Sequence, residues 1–291
     1  TSADDQNWTL DGLAGVTGVA GTYTLAVAAG AAVADLAGNA LPIEASRQWL
    51  LDLTLPTATF EIVIDPRSVA LGQIYVTLSE PVTGVDVTDF SLTRDGGGEL
   101  LTGAEPVTTL DNMTWTLAGL TPVTGDEGDY VLTLSAATDI LDAAGNRLDS
   151  DAVREWYMDQ TAPTAIIEIV DPDPRNLPVS DLAIIFNEAV TGFGIEDLAL
   201  TRDGGPDLLP GTAVLSGDGT DYQLSGLAAL TDVEGNYTLE LVETGSGIED
   251  LALIALEVGD IESWRLDTQA PTVAITPVSD PRNSAVSTLA I

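Results

Sequence analysis

Short runs in which apolar and polar residues alternate dominate this chain. In "QIYVTLS" (residues 73–79), Ile74, Val76 and Leu78 share one face, while Gln73, Tyr75 and Thr77 share the other. "MTWTL" places Met113, Trp115 and Leu117 together in the same way. A period of two is the signature of a strand with one buried face. "TATFEIV", "DFSLT" and "DYVLTLS" are similarly rich in β-branched and aromatic residues. "RDGGG", "TGDEGD" and "DAAGN" separate these runs and carry the residues that turns require. No helical period persists over a useful length, so the pattern predicts antiparallel strands.

The pattern repeats. "QWLLDLTLPT", "EWYMDQTAPT" and "SWRLDTQAPT" align, with Trp49, Trp156 and Trp264 spaced by 107 and 108 residues. Asp52, Asp159 and Asp267 keep the same spacing. "DPR" recurs from Asp65, Asp173 and Asp280, "SEPVTG" answers "NEAVTG", and "LTRDGG" occurs twice. "DLAGN" from Asp35 answers "DAAGN" from Asp142, whereas the third copy reads "DLALI" from Asp250. Self-similarity at a fixed period marks an array of like units. Residues 55–161 and 162–269 are two complete repeats. Residues 1–54 are the C-terminal part of an incomplete one, and 270–291 the N-terminal part of a further one. About seven strands in about 107 residues predict an antiparallel β-sandwich for each complete repeat.

Composition narrows the chemistry. The 291 residues carry 46 Asp and Glu against nine Arg, for a formal charge of -37, and contain no Lys, His or Cys. Nucleic acid needs a basic patch, which this chain does not offer. Missing His, Cys and Lys remove the Ser–His and Cys–His nucleophiles, thiolate metal sites, disulfides and Schiff bases. Carboxylate chemistry remains. A glycosidase pair needs two acids in an aromatic cleft, yet the acids here recur in every repeat, so no enzymatic activity is expected. Crowded carboxylates instead suit divalent cations. The uncharged stretch 12–34 is too rich in Gly and Thr to be read as a membrane span. Tryptophans that return at one place in each repeat, together with Trp8, Trp115 and Tyr222, are read as core. "TRDGG" is read as a hairpin turn with glycines at positive φ, and Arg94 and Arg202 beside it as partners of local carboxylates.

With "SEPVTG" or "NEAVTG", then "DF" or "DL", then "DAAGN", then "MDQTAPT" in that order, the chain resembles the bacterial immunoglobulin-like tandem repeats of large surface and secreted adhesin-type proteins. The resemblance implies an all-β fold of tandem immunoglobulin-like antiparallel β-sandwiches joined by short linkers. It also implies an extracellular or cell-surface location, a stalk or spacer role and calcium at the junctions. The third copy departs from it by lacking the Gly-Asn after Asp250. In such a sandwich the entry linker, the loop between the second and third strands and the last hairpin loop share one end. That order gathers Asp52, Glu80, Asp142 and Asn146 in the first complete repeat. It gathers Asp159, Glu188 and Asp250 in the second, with Asp65 of the preceding repeat approaching the second junction. Oxygen donors from separate loops suit calcium. The expected partners are adjacent repeats; the alternative is a carbohydrate- or protein-binding module that uses its end loops on surface glycans or proteins.

Overall fold

The computed structural model describes residues 7–29 and 33–291 and divides into two compact units, Thr1–Asp159 and Gln160–Ile291. The first unit opens with a hairpin of β1 (Gly21–Val27) and β2 (Ala45–Leu51). Then come β3 (Ala58–Phe60), β4 (Gln73–Leu78), β5 (Val82–Thr83), β6 (Phe90–Arg94), β7 (Val107–Thr109), β8 (Thr114–Ala118), β9 (Gly128–Leu134), β10 (Leu141–Asp142) and β11 (Ala152–Met158). They form a four-stranded sheet, β3-β4-β8-β7, a three-stranded sheet, β11-β9-β6, and the short pair β10-β5, all antiparallel. Ile74, Val76 and Leu78 of β4 meet Tyr130, Leu132 and Leu134 of β9 in one core. Alternation thus sends one face of each sheet inward, as an immunoglobulin-like sandwich requires.

The second unit repeats the plan with β12 (Ala165–Ile167), β13 (Asp181–Phe186), β14 (Val190–Thr191), β15 (Leu198–Arg202), β16 (Val214–Asp218), β17 (Asp221–Ser225), β18 (Gly235–Leu241), β19 (Glu249–Asp250) and β20 (Ile261–Leu266). Its sheets run β12-β13-β17-β16 and β15-β18-β20, with β14-β19 as the short pair. A separate core fills it, built on Ile184, Leu200, Leu224, Tyr237 and Leu239. The two-residue pairs β5-β10 and β14-β19 carry no periodic signal of their own, which is why the pattern of the sequence suggests fewer strands.

The recurring tryptophans are core where the sandwich is complete. Trp156 is 2% exposed and stacks on its cross-strand neighbour Tyr130, with centroids 5.3 Å apart and planes 3° apart. Trp264 on Tyr237 repeats this at 5.5 Å and 13°. Each tyrosine hydroxyl then donates four residues back, Tyr130 to the Asp126 carbonyl at 2.8 Å and Tyr237 to the Val233 carbonyl at 2.6 Å. This is the tyrosine corner of immunoglobulin-like sandwiches. In the incomplete repeat Trp49 still stacks on Tyr23, but it is 36% exposed, and Trp8 is 72% exposed. The expectation of burial fails for Trp8. Tyr222 is only half-buried.

Two further motifs settle into place. "RDGG" forms a turn in which Asp95 and Gly96 both take positive φ and the Gly97 amide donates to the Arg94 carbonyl at 2.8 Å, as in a primed hairpin turn. Arg94 pairs with Asp126 at 2.6 Å. "DPR" crosses from one sheet to the other: Arg67 bridges in parallel to Met158, and Arg175 to Leu266. Arg67 points its Nε to the Val69 carbonyl, a local bond. The stretch 12–34 holds a 3-10 turn, Leu13–Gly15, and the strand β1; residues 30–32 of it lie outside the described residues. Among the described residues no helix is long and apolar enough to cross a membrane.

The stacked pair and its corner hydrogen bond set a stability scale. Trp264→Ala is expected to cost about 3–5 kcal/mol, as large core truncations do, and Tyr237→Phe about 1 kcal/mol for the lost hydrogen bond. Urea unfolding followed by tryptophan fluorescence for Tyr237→Phe, and by circular dichroism for Trp264→Ala, reads both. Equal costs for the two changes would mean that the ring stack contributes nothing beyond the corner.

Candidate functional site

Asp142 is fixed by its own turn. Its Oδ1 accepts the backbone amides of Ala144 and Asn146, both at 2.8 Å, and its Oδ2 accepts the Asn146 side-chain amide at 2.8 Å. Gly145 supplies the positive φ that closes this turn. Burial works to raise the Asp142 pKa, but the hydrogen bonds from Asn146, Ala144 and Gly145 outweigh it and hold the carboxyl below its usual range. The Asn146 amide also reaches the Asp52 carbonyl at 3.2 Å, tying the last hairpin loop to the entry linker. Asp52 turns its Oδ1 to the Thr54 amide at 2.9 Å. "DLAGN" of the incomplete repeat builds the same turn, with Asp35 accepting from Ala37, Asn39 and the Asn39 side chain.

Glu80, on the loop between β4 and β5, joins them. Asp52, Glu80 and Asp142 each offer a carboxylate oxygen within 4.8 Å of the others. Burial raises the Glu80 pKa, and the charges of Asp142 and Asp52 raise it further. Asn146 touches the group through its amide nitrogen and acts as a clamp. Asp65 stands apart from it: its Oδ1 accepts the Tyr157 backbone amide at 2.9 Å and thereby fastens the "DPR" turn to β11.

In the second unit Glu188 and Asp250 also bring carboxylate oxygens within 4.8 Å of each other. Asp159, the repeat counterpart of Asp52, is buried as the last residue of the first unit, and its amide donates to the Arg67 carbonyl at 2.8 Å. The turn after Asp250 differs in one decisive atom. Asp250 Oδ1 accepts the Ile254 amide at 2.8 Å, as Asp142 accepts that of Asn146. Ile254 has no side-chain donor, so Asp250 Oδ2 is buried without a hydrogen-bond partner, in a residue only 1% exposed. Leu253 occupies the positive-φ position that Gly145 holds in the first repeat. An unmatched buried carboxylate oxygen is costly and calls for a cation or a new donor.

Sequence reasoning places these acids at one end but misses a second feature. Phe193 and Tyr222 are partly exposed and line a cavity of about 320 Å³ beside β16. The signal was present as Phe193 in the place of Val85, hidden by an otherwise well-matched repeat.

Comparison with protein-family models and with curated proteins finds no match for this chain. Among solved structures it is similar to titin domains Z1 and Z2 in complex with telethonin, at 15% identity over 76% of this chain and all of that one, with a TM-score of 0.23. A three-domain titin segment matches at 18% identity over 73% of this chain and 65% of its own length, with a TM-score of 0.31. The N-terminal eight Ig domains of Down syndrome cell adhesion molecule match at 14% identity over 85% of this chain and 31% of theirs, with a TM-score of 0.25. At such values the fold rests on the chain's own sheets and cores.

Two outcomes follow from the site. Glu80 has a raised folded pKa, so the stability linked to its proton is complete below the ordinary carboxylate range and is lost as pH rises through the raised value. Glu80→Gln therefore raises the melting temperature of chelator-treated protein at neutral pH, and by less at about pH 4; an equal gain at both pH values contradicts the charge crowding. Ile254→Asn gives Asp250 Oδ2 the donor that Asn146 gives Asp142. In chelator it is expected to stabilise the second unit by about 1 kcal/mol in urea unfolding, and a loss instead would show that the oxygen is not starved of a donor.

Proposed function

We propose that this chain is a non-enzymatic spacer or stalk segment of a large bacterial surface or secreted protein, its junctions stiffened by calcium. The observation that carries the reading is the Asp52–Glu80–Asp142 group, which joins an entry linker to two loops of the sandwich that follows it. Oxygens in one calcium shell, 2.3–2.6 Å from the ion, lie at most about 5 Å apart, and these three lie within 4.8 Å of one another. A donor set of carboxylates alone, in a chain without His or Cys, suits a hard cation. The unmatched Asp250 Oδ2, beside Glu188 in the second unit, supports a second site. Asp52, Glu80 and Asp142 would hold the first ion, with Asn146 keeping Asp142 in its rotamer.

The cation, when bound, neutralises acids that otherwise repel one another. Binding to the folded state alone stabilises it, by about 2.7 kcal/mol at a free concentration one hundred times Kd. A linker drawn to the loops by a shared ion loses its freedom to swing, and Pro163 beyond Asp159 restricts it further by fixing its own φ. A tandem array with stiff junctions serves to hold some other domain away from a cell. The second reading, a module that binds glycans or proteins through its end loops, is favoured by the divergence between "GELLTGAEPVTTLD" and "PDLLPGTAVLSGDG".

Calcium titration by calorimetry and small-angle scattering on the whole chain test this. The expected result is heat of binding, a rise in melting temperature and a longer maximum dimension with calcium than with chelator. Asp142→Asn and Asp250→Asn should each remove part of the heat. Absence of heat and an unchanged scattering profile would overturn it.

A further inference from the structure

The two complete repeats differ most tellingly along one edge. In the first unit Thr109 of β7 lies opposite Trp115 of β8, and Val85 and Trp115 are both buried. In the second unit Gly217 of β16 lies opposite Tyr222 of β17, so no β16 side chain stands across from the ring. The β16–β17 hairpin is also shorter, since Asp218 and Asp221 pair directly around Gly219 and Thr220. Phe193 replaces Val85 and Gly194 replaces Asp86, whose carboxylate caps the first unit's turn by accepting the Thr88 amide. These exchanges open the cavity of about 320 Å³ lined by Phe193, Gly194, Tyr222 and the run from Ala213 to Gly217.

The cavity has a built wall and a charged rim. Phe193 meets Tyr222 edge-to-face at 4.8 Å and 88°, and Phe186 backs both rings at 5.2 and 5.8 Å. The Glu196 carboxylate lies over Gly194, where an added Cβ would come within 2.5 Å of its Cδ. Strand β16 is the edge of its sheet, so its outer backbone groups are open to an added strand. Aromatic faces beside carboxylates suit an organic cation. A second copy of this chain is a poor occupant, because each copy carries a formal charge of -37 and no lysine.

We propose that the groove along β16 binds an extended basic polypeptide segment, with one arginine or lysine side chain seated at Phe193 and Tyr222 beside the Glu196 carboxylate. The partner adds a strand to the edge through its backbone, and the cation selects it. The first unit, with Val85 and Thr109 in the corresponding places, does not share the activity.

The test is a nitrogen–proton correlation titration of the whole chain at 0.15 M salt with the capped peptide Thr-Val-Arg-Val-Thr. A second titration uses the same peptide with citrulline, the neutral isostere, in place of arginine. The expected result is saturable shifts confined to residues 193–196 and 213–222, with the citrulline peptide about ten-fold weaker. Phe193→Val, which installs the first unit's residue, and Glu196→Gln, at an exposed position, should each weaken the arginine peptide about five-fold while the spectrum stays dispersed. Equal affinity for citrulline, indifference to either substitution, shifts scattered over the acidic surface, or no saturation at millimolar peptide would each overturn the proposal.

Discussion

The hydrogen bond from a backbone amide to a carboxylate is the interaction on which this chain depends. With 46 acids and nine arginines, ion pairing cannot serve most of its carboxylates. They are held by the main chain instead. Asp111 takes the Met113 and Thr114 amides, Glu99 those of Leu92 and Leu101, and Glu105 those of Thr102 and Gly103. Each such bond fixes a turn, and the turns set the spacing of strands whose alternation builds the two cores. Asp65 and Asp173 do the same over long range, each accepting an amide of the last strand and so closing its sandwich. Acidity in this protein is therefore structural before it is anything else.

Where the amides run short, the same acids crowd one another. Asp142 is saturated by its turn, yet Glu80 is pressed against it and against Asp52, and burial with their charges holds its pKa up. In the second repeat the exchange of Asn146 for Ile254 deletes one donor and strands Asp250 Oδ2. The sequence comparison suggests that losing the Gly-Asn weakens that turn as a calcium site. In the structure the oxygen that asparagine would occupy is the one without a hydrogen-bond partner. Drift between repeats has a different effect at β16. There Val85 becomes Phe193 and Thr109 becomes Gly217, and a closed edge turns into an aromatic groove.

The fold was legible because its signals are redundant. Alternation in β4 and β9, glycines at positive φ in "RDGG" and a repeat near 107 residues all favour a sandwich, and each is written into local sequence. The gathering of Asp52, Glu80 and Asp142 was legible only through strand order, since these residues lie on three separate segments. What escaped were features made by side-chain absence or by very short pairing. The β5-β10 pair is two residues long on each side. The bond from the Tyr157 amide to Asp65 Oδ1 is one that no motif announces. The openness at Tyr222 reflects the glycine opposite it on β16.

The central claim is that Asp52, Glu80 and Asp142 form one cation site. A crystal of the whole chain grown with calcium, and its anomalous difference map, tests it most directly. The account predicts a single strong peak with oxygens of all three carboxylates at about 2.3–2.6 Å, and Asn146 still bonded to Asp142. A map with no peak there at saturating calcium, and with Glu80 turned to solvent, would contradict it.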